Sequence, residues 1–206
     1  MTDKPSETAH PASRETFRIF LGCPLPADCA HELNKWALSS FPSTGFRVTP
    51  VERLHATILF FGEVDESLKD VLARETGLVR WDRLSVRLDS VRQYGRNAIA
   101  LRLVAPGDVL TKLGQRLFSD AEIPDDPLAR LYRQLPKARS RRPHETQSLD
   151  LHVTVARTRN SGHPRLETLI APQRSLELNR LVLYQSINTE DGLEYRVVAE
   201  ADQPIS

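Results

Sequence analysis

Two short stretches carry the residues best equipped for chemistry. The first is Leu54-His55-Ala56-Thr57-Ile58-Leu59-Phe60-Phe61-Gly62, and the second is Leu151-His152-Val153-Thr154-Val155-Ala156. Each is an apolar run with one histidine and, two places on, one threonine. Successive side chains on a strand point to opposite faces, so His55 and Thr57 project the same way, as do His152 and Thr154. Histidine trades protons near neutral pH, as a base when neutral and an acid when charged. Two histidines across a cleft can take a proton from an attacking water and give one to a leaving alkoxide, which is what phosphodiester hydrolysis needs. Thr57 and Thr154 would donate hydroxyl hydrogen bonds to a non-bridging phosphate oxygen where charge develops. Arg157, just past the second strand, would add planar paired donors.

The plainer alternative makes both histidines ordinary strand residues and both threonines strand formers. The shared flanks, Leu-His-apolar-Thr-apolar in both places, argue for a site instead. No His-x₃-His or Glu-x-x-His helical spacing occurs and no acidic triad accompanies either stretch, so no metal is expected. No glycine-rich phosphate loop is present either, and no cofactor is called for.

With 206 residues, 40% hydrophobic and 27% charged, the chain has the composition of an ordinary globular protein. Its net charge of +1 creates no global field for a polyanion, so nucleic-acid contact would need a local patch. The polar opening residues lack the apolar core of a signal peptide, and no run is long enough to span a bilayer. Cys23 and Cys29 form no zinc pattern and read as reduced thiols. A cytoplasmic location, no membrane contact and a monomer are the expectations.

The elements that must position the two histidines follow from patterning. Residues 1–15 read as a disordered tail, and 16–206 as a single domain. Thr16 to Gly22 reads as a strand, followed by a helix in which Cys29, Leu33, Trp36 and Ala37 form the buried stripe. After the first histidine strand, Asp65 caps a second helix with Leu68, Val71 and Leu72 inward. Strands are expected over Leu84 to Asp89 and Asn97 to Val104, then a helix with Val109, Leu110, Leu113 and Leu117 on one side. Ser175 to Ser186 and Glu194 to Ala199 close the chain as a hairpin. Seven strands and three or four helices in mixed order, with strand-helix-strand in each half, indicate α+β with a largely antiparallel sheet.

With these motifs in place, the chain resembles the two-histidine phosphoesterases, in the branch of RNA 2′,3′-cyclic phosphodiesterases and 2′-5′ RNA ligase-like proteins. The resemblance rests on Phe17 to Leu21 with Pro24-Leu25-Pro26, on the first motif with its Phe61-Gly62-Glu63-Val64 exit, on His152 to Arg157, and on Leu181 to Ser186 followed by Tyr195. It implies a bilobal, pseudo-symmetric fold with one His-x-Thr strand per lobe facing a central cleft. It further implies metal-independent opening of an RNA-terminal or nucleoside 2′,3′-cyclic phosphate to a 2′-phosphate. On this chain, His55 and His152 would be the acid–base pair, and Thr57, Thr154 and Arg157 would hold the phosphate. The resemblance leans toward His55 as proton donor and His152 as acceptor, an order the residues leave open. Two alternatives stand: a non-catalytic module that binds RNA ends, and a 2′-5′ RNA ligase or a phosphodiesterase for another cyclic phosphate.

Residues 123–149 depart from the resemblance, being longer and more basic than the usual link, and Gln185 stands where glutamate is common. A short helix is expected around Leu128 to Leu135. Arg130, Arg133, Lys137, Arg139, Arg141 and Arg142 either follow an RNA backbone toward the cleft or form a solvated loop. Tyr94 is either a base-stacking aromatic or a turn and core aromatic. Trp36 and Trp81 read as core anchors at helix positions. Arg87, Arg92, Arg96 and Arg102, and His10, His31, His144 and His163, read as surface residues.

Overall fold

The computed structural model describes residues 15–118, 125–135, 149–159, 166, 168–190 and 192–202. Its strands are β1 (Phe17–Pro24), β2 (Phe46–Val48), β3 (His55–Val64), β4 (Leu84–Tyr94), β5 (Ala98–Val104), β6 (His152–Thr158), β7 (Ser175–Leu178), β8 (Val182–Thr189) and β9 (Gly192–Glu200). The helices are α1 (Ala27–Ser40), α2 (Glu66–Leu78), α3 (Val109–Leu117) and α4 (Pro127–Arg133). All nine strands join one antiparallel sheet in the order β7-β4-β5-β6-β3-β1-β8-β9, with β2 paired to β6. The expected α+β class and antiparallel pairing hold.

The sheet has two halves. In one, β1 and β3 pair, with α1 between them in sequence; in the other, β5 and β6 pair, with α3 and α4 between them in sequence. The histidine strands β3 and β6 are the innermost of each half, and they meet at a single residue pair, Ala56 with Val153. Beyond it, β6 turns to a different partner. Thr49 N–H donates to the Val155 carbonyl at 2.8 Å, and Val48 and Arg47 pair with Ala156 and Arg157. A helical turn at Val51–Arg53 separates these residues from β3. The junction between halves is thus narrow, and the strands diverge on either side of it.

The core follows the apolar positions. Ile19 and Leu21 of β1, Ala56, Ile58, Leu59 and Phe61 of β3, and Val153, Val155 and Ala156 of β6 are all buried in one cluster with Leu33, Leu72 and Leu117 from the helices. The stripe Cys29, Leu33 and Ala37 of α1 is buried as its spacing requires. The Asp65 side chain accepts from the Leu68 N–H at 2.9 Å and starts α2.

Three expectations need correction. Nine strands form among the described residues where seven were expected, because β2 was not expected and one expected strand is two. The span Ser175 to Ser186 is not one strand. It breaks at Asn179-Arg180, and its pieces belong to opposite halves: β7 pairs with β4, and β8 with β1. Leu176 and Leu178 are buried against one half and Leu181 to Leu183 against the other, so an apolar run of this length concealed a crossover. Trp81 is a buried anchor but lies after α2, not within it; its indole N–H donates to the Leu178 carbonyl at 3.1 Å. Cys23 and Cys29 are free thiols, both buried. No helix among the described residues is long and apolar enough to cross a membrane.

The short helix expected near Leu128 is α4, capped by Asp126. Arg130 on it is no free RNA contact: its guanidinium meets Glu75 of α2 at 2.6 Å, and the Glu75 side chain is only 11% exposed. Residues 1–14, and Lys137, Arg139, Arg141, Arg142, His144, His10 and His163, lie outside the described residues. Arg130→Ala leaves a nearly buried carboxylate with only Arg74 at 3.5 Å, and should lower stability in urea unfolding by about 1–3 kcal/mol. The double variant Arg130→Leu with Glu75→Leu should recover most of that loss.

Candidate active site

The Ala56–Val153 pair sets the geometry of the site. Both side chains are fully buried on the core face. Alternation therefore sends the residues on either side of them, His55 and Thr57 on β3 and His152 and Thr154 on β6, to the opposite face. In an antiparallel pair the flanking positions fall opposite each other, which sets His55 by Thr154 and Thr57 by His152. All four are half-buried. The next strands outward keep this face open: Gly22 pairs with Thr57, and Ala100 with Thr154.

Each imidazole is held in the same way. His55 Nδ1 lies 2.7 Å from the Arg53 carbonyl, and His152 Nδ1 lies 3.1 Å from the Asp150 carbonyl. A carbonyl only accepts, so Nδ1 carries the proton in both rings and Nε2 is left to exchange one. The repeated device, a backbone carbonyl two residues upstream, reflects the pseudo-symmetry of the halves.

The aromatic surroundings differ. His55 sits 4.7 Å from Phe20 and meets Tyr195 edge-on at 5.2 Å. His152 is stacked by Tyr94, with ring centroids 3.8 Å apart and planes 15° from parallel. Burial pushes the His55 pKa below its ordinary 6.5, and the nearby His152 and Arg157 push it the same way, against the opposing hydrogen bond to Arg53. His55 is therefore biased toward the neutral ring in the unliganded protein.

A cavity of about 420 Å³ opens on the quartet's face. It is lined by His55, Thr57, Thr154 and Arg157, together with Arg18, Arg47 and Arg53. His152 is not among its lining residues; it stands at the margin, beside Thr154. Arg157 Nη1 donates to the Asn97 side chain at 3.4 Å. Four arginines and no carboxylate line the cavity, which suits it to a multiply charged anion. No group of three or more His, Cys, Asp or Glu side chains among the described residues is placed to hold a metal.

The expected residues thus come together, and others join them: Arg18 and Arg47, which no motif singles out, and Tyr94, expected as a base-stacking or a turn and core aromatic and found against His152. Arg47 is brought in by its pairing with Arg157, and Arg18 by alternation on β1. Tyr94 reaches His152 from β4, two strands away. No spacing rule in the sequence links these residues to the motifs.

No family model matches the chain. Among curated proteins, it is 29% identical over 108 residues to the RNA 2′,3′-cyclic phosphodiesterase of Escherichia coli (strain K12), a match covering 52% of this chain and 61% of that one. Among solved structures, E. coli LigT complexed with phosphate superposes with a TM-score of 0.62 at 20% identity, covering 92% of this chain and 98% of LigT. LigT complexed with 3′-AMP gives 0.61 at 20% identity, covering 90% and 97%. The chain is thus similar in sequence to an RNA 2′,3′-cyclic phosphodiesterase and shares the fold of LigT. The expected resemblance to that branch agrees with both. The sequence match spans less than two thirds of the curated relative.

A side chain has little room beside His55. A Cβ on Gly22 would lie 3.0 Å from the Ala56 carbonyl oxygen and 3.3 Å from His55 Cδ2. Gly22→Ala should cost about 1–3 kcal/mol in chemical unfolding and displace the His55 ring. Gly45→Ala, where a Cβ has nothing within 4 Å, is the matched control and should leave stability within about 0.5 kcal/mol.

Proposed function

We propose that this protein hydrolyses a 2′,3′-cyclic phosphate, at an RNA end or on a nucleoside, to a 2′-phosphate, using His55 and His152 as its acid–base pair and no metal. The reading is carried by the quartet on one face of two strands joined at Ala56–Val153, with His55, Thr57 and Thr154 lining an arginine-rich cavity and His152 on the same strand as Thr154. The relationship to an RNA 2′,3′-cyclic phosphodiesterase supports the same chemistry.

In this scheme the phosphate sits over the quartet. Thr57 and Thr154 donate to its non-bridging oxygens, and Arg157 balances the charge that grows there. One imidazole takes a proton from water through Nε2 as the water oxygen bonds to phosphorus. The other gives its Nε2 proton to the 3′-oxygen as the P–O3′ bond breaks, leaving the phosphate on the 2′-oxygen. The Nδ1–carbonyl bonds at Arg53 and Asp150 keep each Nε2 aimed at its task throughout.

The order implied by the family makes His55 the donor, and a donor must hold a proton before it gives one. Burial opposes that proton in the free protein. Entry of an anionic phosphate restores it, since a negative charge stabilises imidazolium. Binding of substrate and protonation of His55 are then linked.

The direct assay is turnover of 2′,3′-cyclic nucleotides and cyclic-ended oligonucleotides in EDTA. His55→Ala or His152→Ala should each lower kcat by about 10²–10⁴-fold with the fold intact by circular dichroism. Absence of 2′-phosphate product from the wild-type protein on all these substrates would reject the reading. Tight RNA-end binding without turnover would instead establish a binding module. The pH profile separates the two roles. With His55 as donor, kcat/KM falls as pH rises through a value under 6.5; a rise there assigns the donor role to His152.

A further inference from the structure

The two histidines share a backbone anchor but differ in how their rings are held. His55 is packed within the cavity wall among Phe20, Tyr195 and Gly22. His152 lies outside that wall, and its Nδ1 hydrogen bond to the Asp150 carbonyl fixes one ring atom and leaves the tilt of the ring plane to its neighbours. Among the described residues its aromatic neighbour is Tyr94, face to face at 3.8 Å.

The register explains how Tyr94 reaches it. Tyr94 pairs with Ala98, Ala98 with Arg157, and Ala100 with Thr154, so Tyr94 rises on the same face as the quartet. The two alanines of β5 have no bulk to block a ring lying across them. Tyr94 is itself tied down: its hydroxyl donates to Asp150 Oδ1 at 3.3 Å, and Arg102 Nε holds the same carboxylate oxygen at 3.4 Å. Burial and the Asp150 charge push the phenol pKa up to about 12, so it remains a donor at working pH. Asp150 therefore serves twice, its carboxylate receiving Tyr94 and its main-chain carbonyl receiving His152.

We propose that Tyr94 is a positioning residue: its ring, stacked on the His152 imidazole, fixes the plane in which His152 Nε2 exchanges a proton. The proposal rests on His152 belonging to the acid–base pair, and it extends the site onto β4, a strand that carries no part of either motif. A misaimed proton acceptor loses rate while substrate still binds, because the phosphate is held by the threonines and arginines.

The test compares the wild-type chain with Tyr94→Leu and Tyr94→Phe, by steady-state hydrolysis of a 2′,3′-cyclic mononucleotide and by nitrogen-15 NMR of the His152 ring. Tyr94→Leu should lower kcat about 10–100-fold with KM within about threefold, and should lose the single Nδ1–H tautomer signature of His152. Tyr94→Phe keeps the stack and drops the Asp150 contact; it should recover all but about threefold of the rate. The proposal is overturned if Tyr94→Leu matches wild type in rate and tautomer, or if Tyr94→Phe falls as far as Tyr94→Leu. Should the wild-type chain itself turn nothing over, the acid–base reading fails, and the NMR comparison still decides whether Tyr94 orders the ring.

Discussion

Everything at the site depends on one backbone contact, the pairing of Ala56 with Val153. It is the only register point recorded between the two histidine strands. Slipping either strand by one residue would carry its histidine and threonine into the core and bring Ala56 or Val153 to the surface. The penalty for burying an imidazole and a hydroxyl without partners, several kcal/mol, makes that slip costly. A single pair is thus sufficient to hold the register because both strands are heavily constrained from behind. Ile58, Phe61, Val155 and Ala156 are buried, and β1 and β5 pair with β3 and β6 along most of their length.

The narrowness of the contact has a use. A long β3–β6 ladder would place backbone where the cavity now lies. Instead β6 passes to Thr49, Val48 and Arg47, and the helical turn Val51–Arg53 steps the chain sideways before β3 begins. That step delivers two things at once. It opens the space beside the quartet, and it brings the Arg53 carbonyl to His55 Nδ1. The second half reaches the same end through Asp150, the residue two places before His152. The symmetry is therefore in the placement of a carbonyl, which any residue type supplies.

This explains what could and could not be read before the fold was known. Alternation made His55 and Thr57 legible as a pair, and likewise His152 and Thr154, because period two is a local property. The facing of the two pairs was legible only through the resemblance of both copies. The closing hairpin formed between β8 and β9, but the single strand expected over Ser175 to Ser186 did not, because Leu176, Leu178 and Leu181 to Leu183 are apolar alike and periodicity does not tell one half of a sheet from the other. Arg47 and Tyr94 were out of reach for a related reason. Their part in the site comes from cross-strand neighbours far away in sequence, Arg157 and His152, and the same side chains elsewhere would be ordinary surface. Arg130 shows the converse: a residue in a basic run proved to be the partner of Glu75.

The cavity's charge and the bias on His55 belong to one electrostatic arrangement. Arg157 contributes both, as a lining cation and as one of the charges that disfavour protonation of His55. Burial is the main cause of that bias, and the Arg157 cation adds to it. On the proposed function, entry of an anionic phosphate and protonation of His55 would be linked with no moving part. His152 stands outside the cavity lining and rests on Tyr94, so two residues in equivalent strand positions have unequal surroundings.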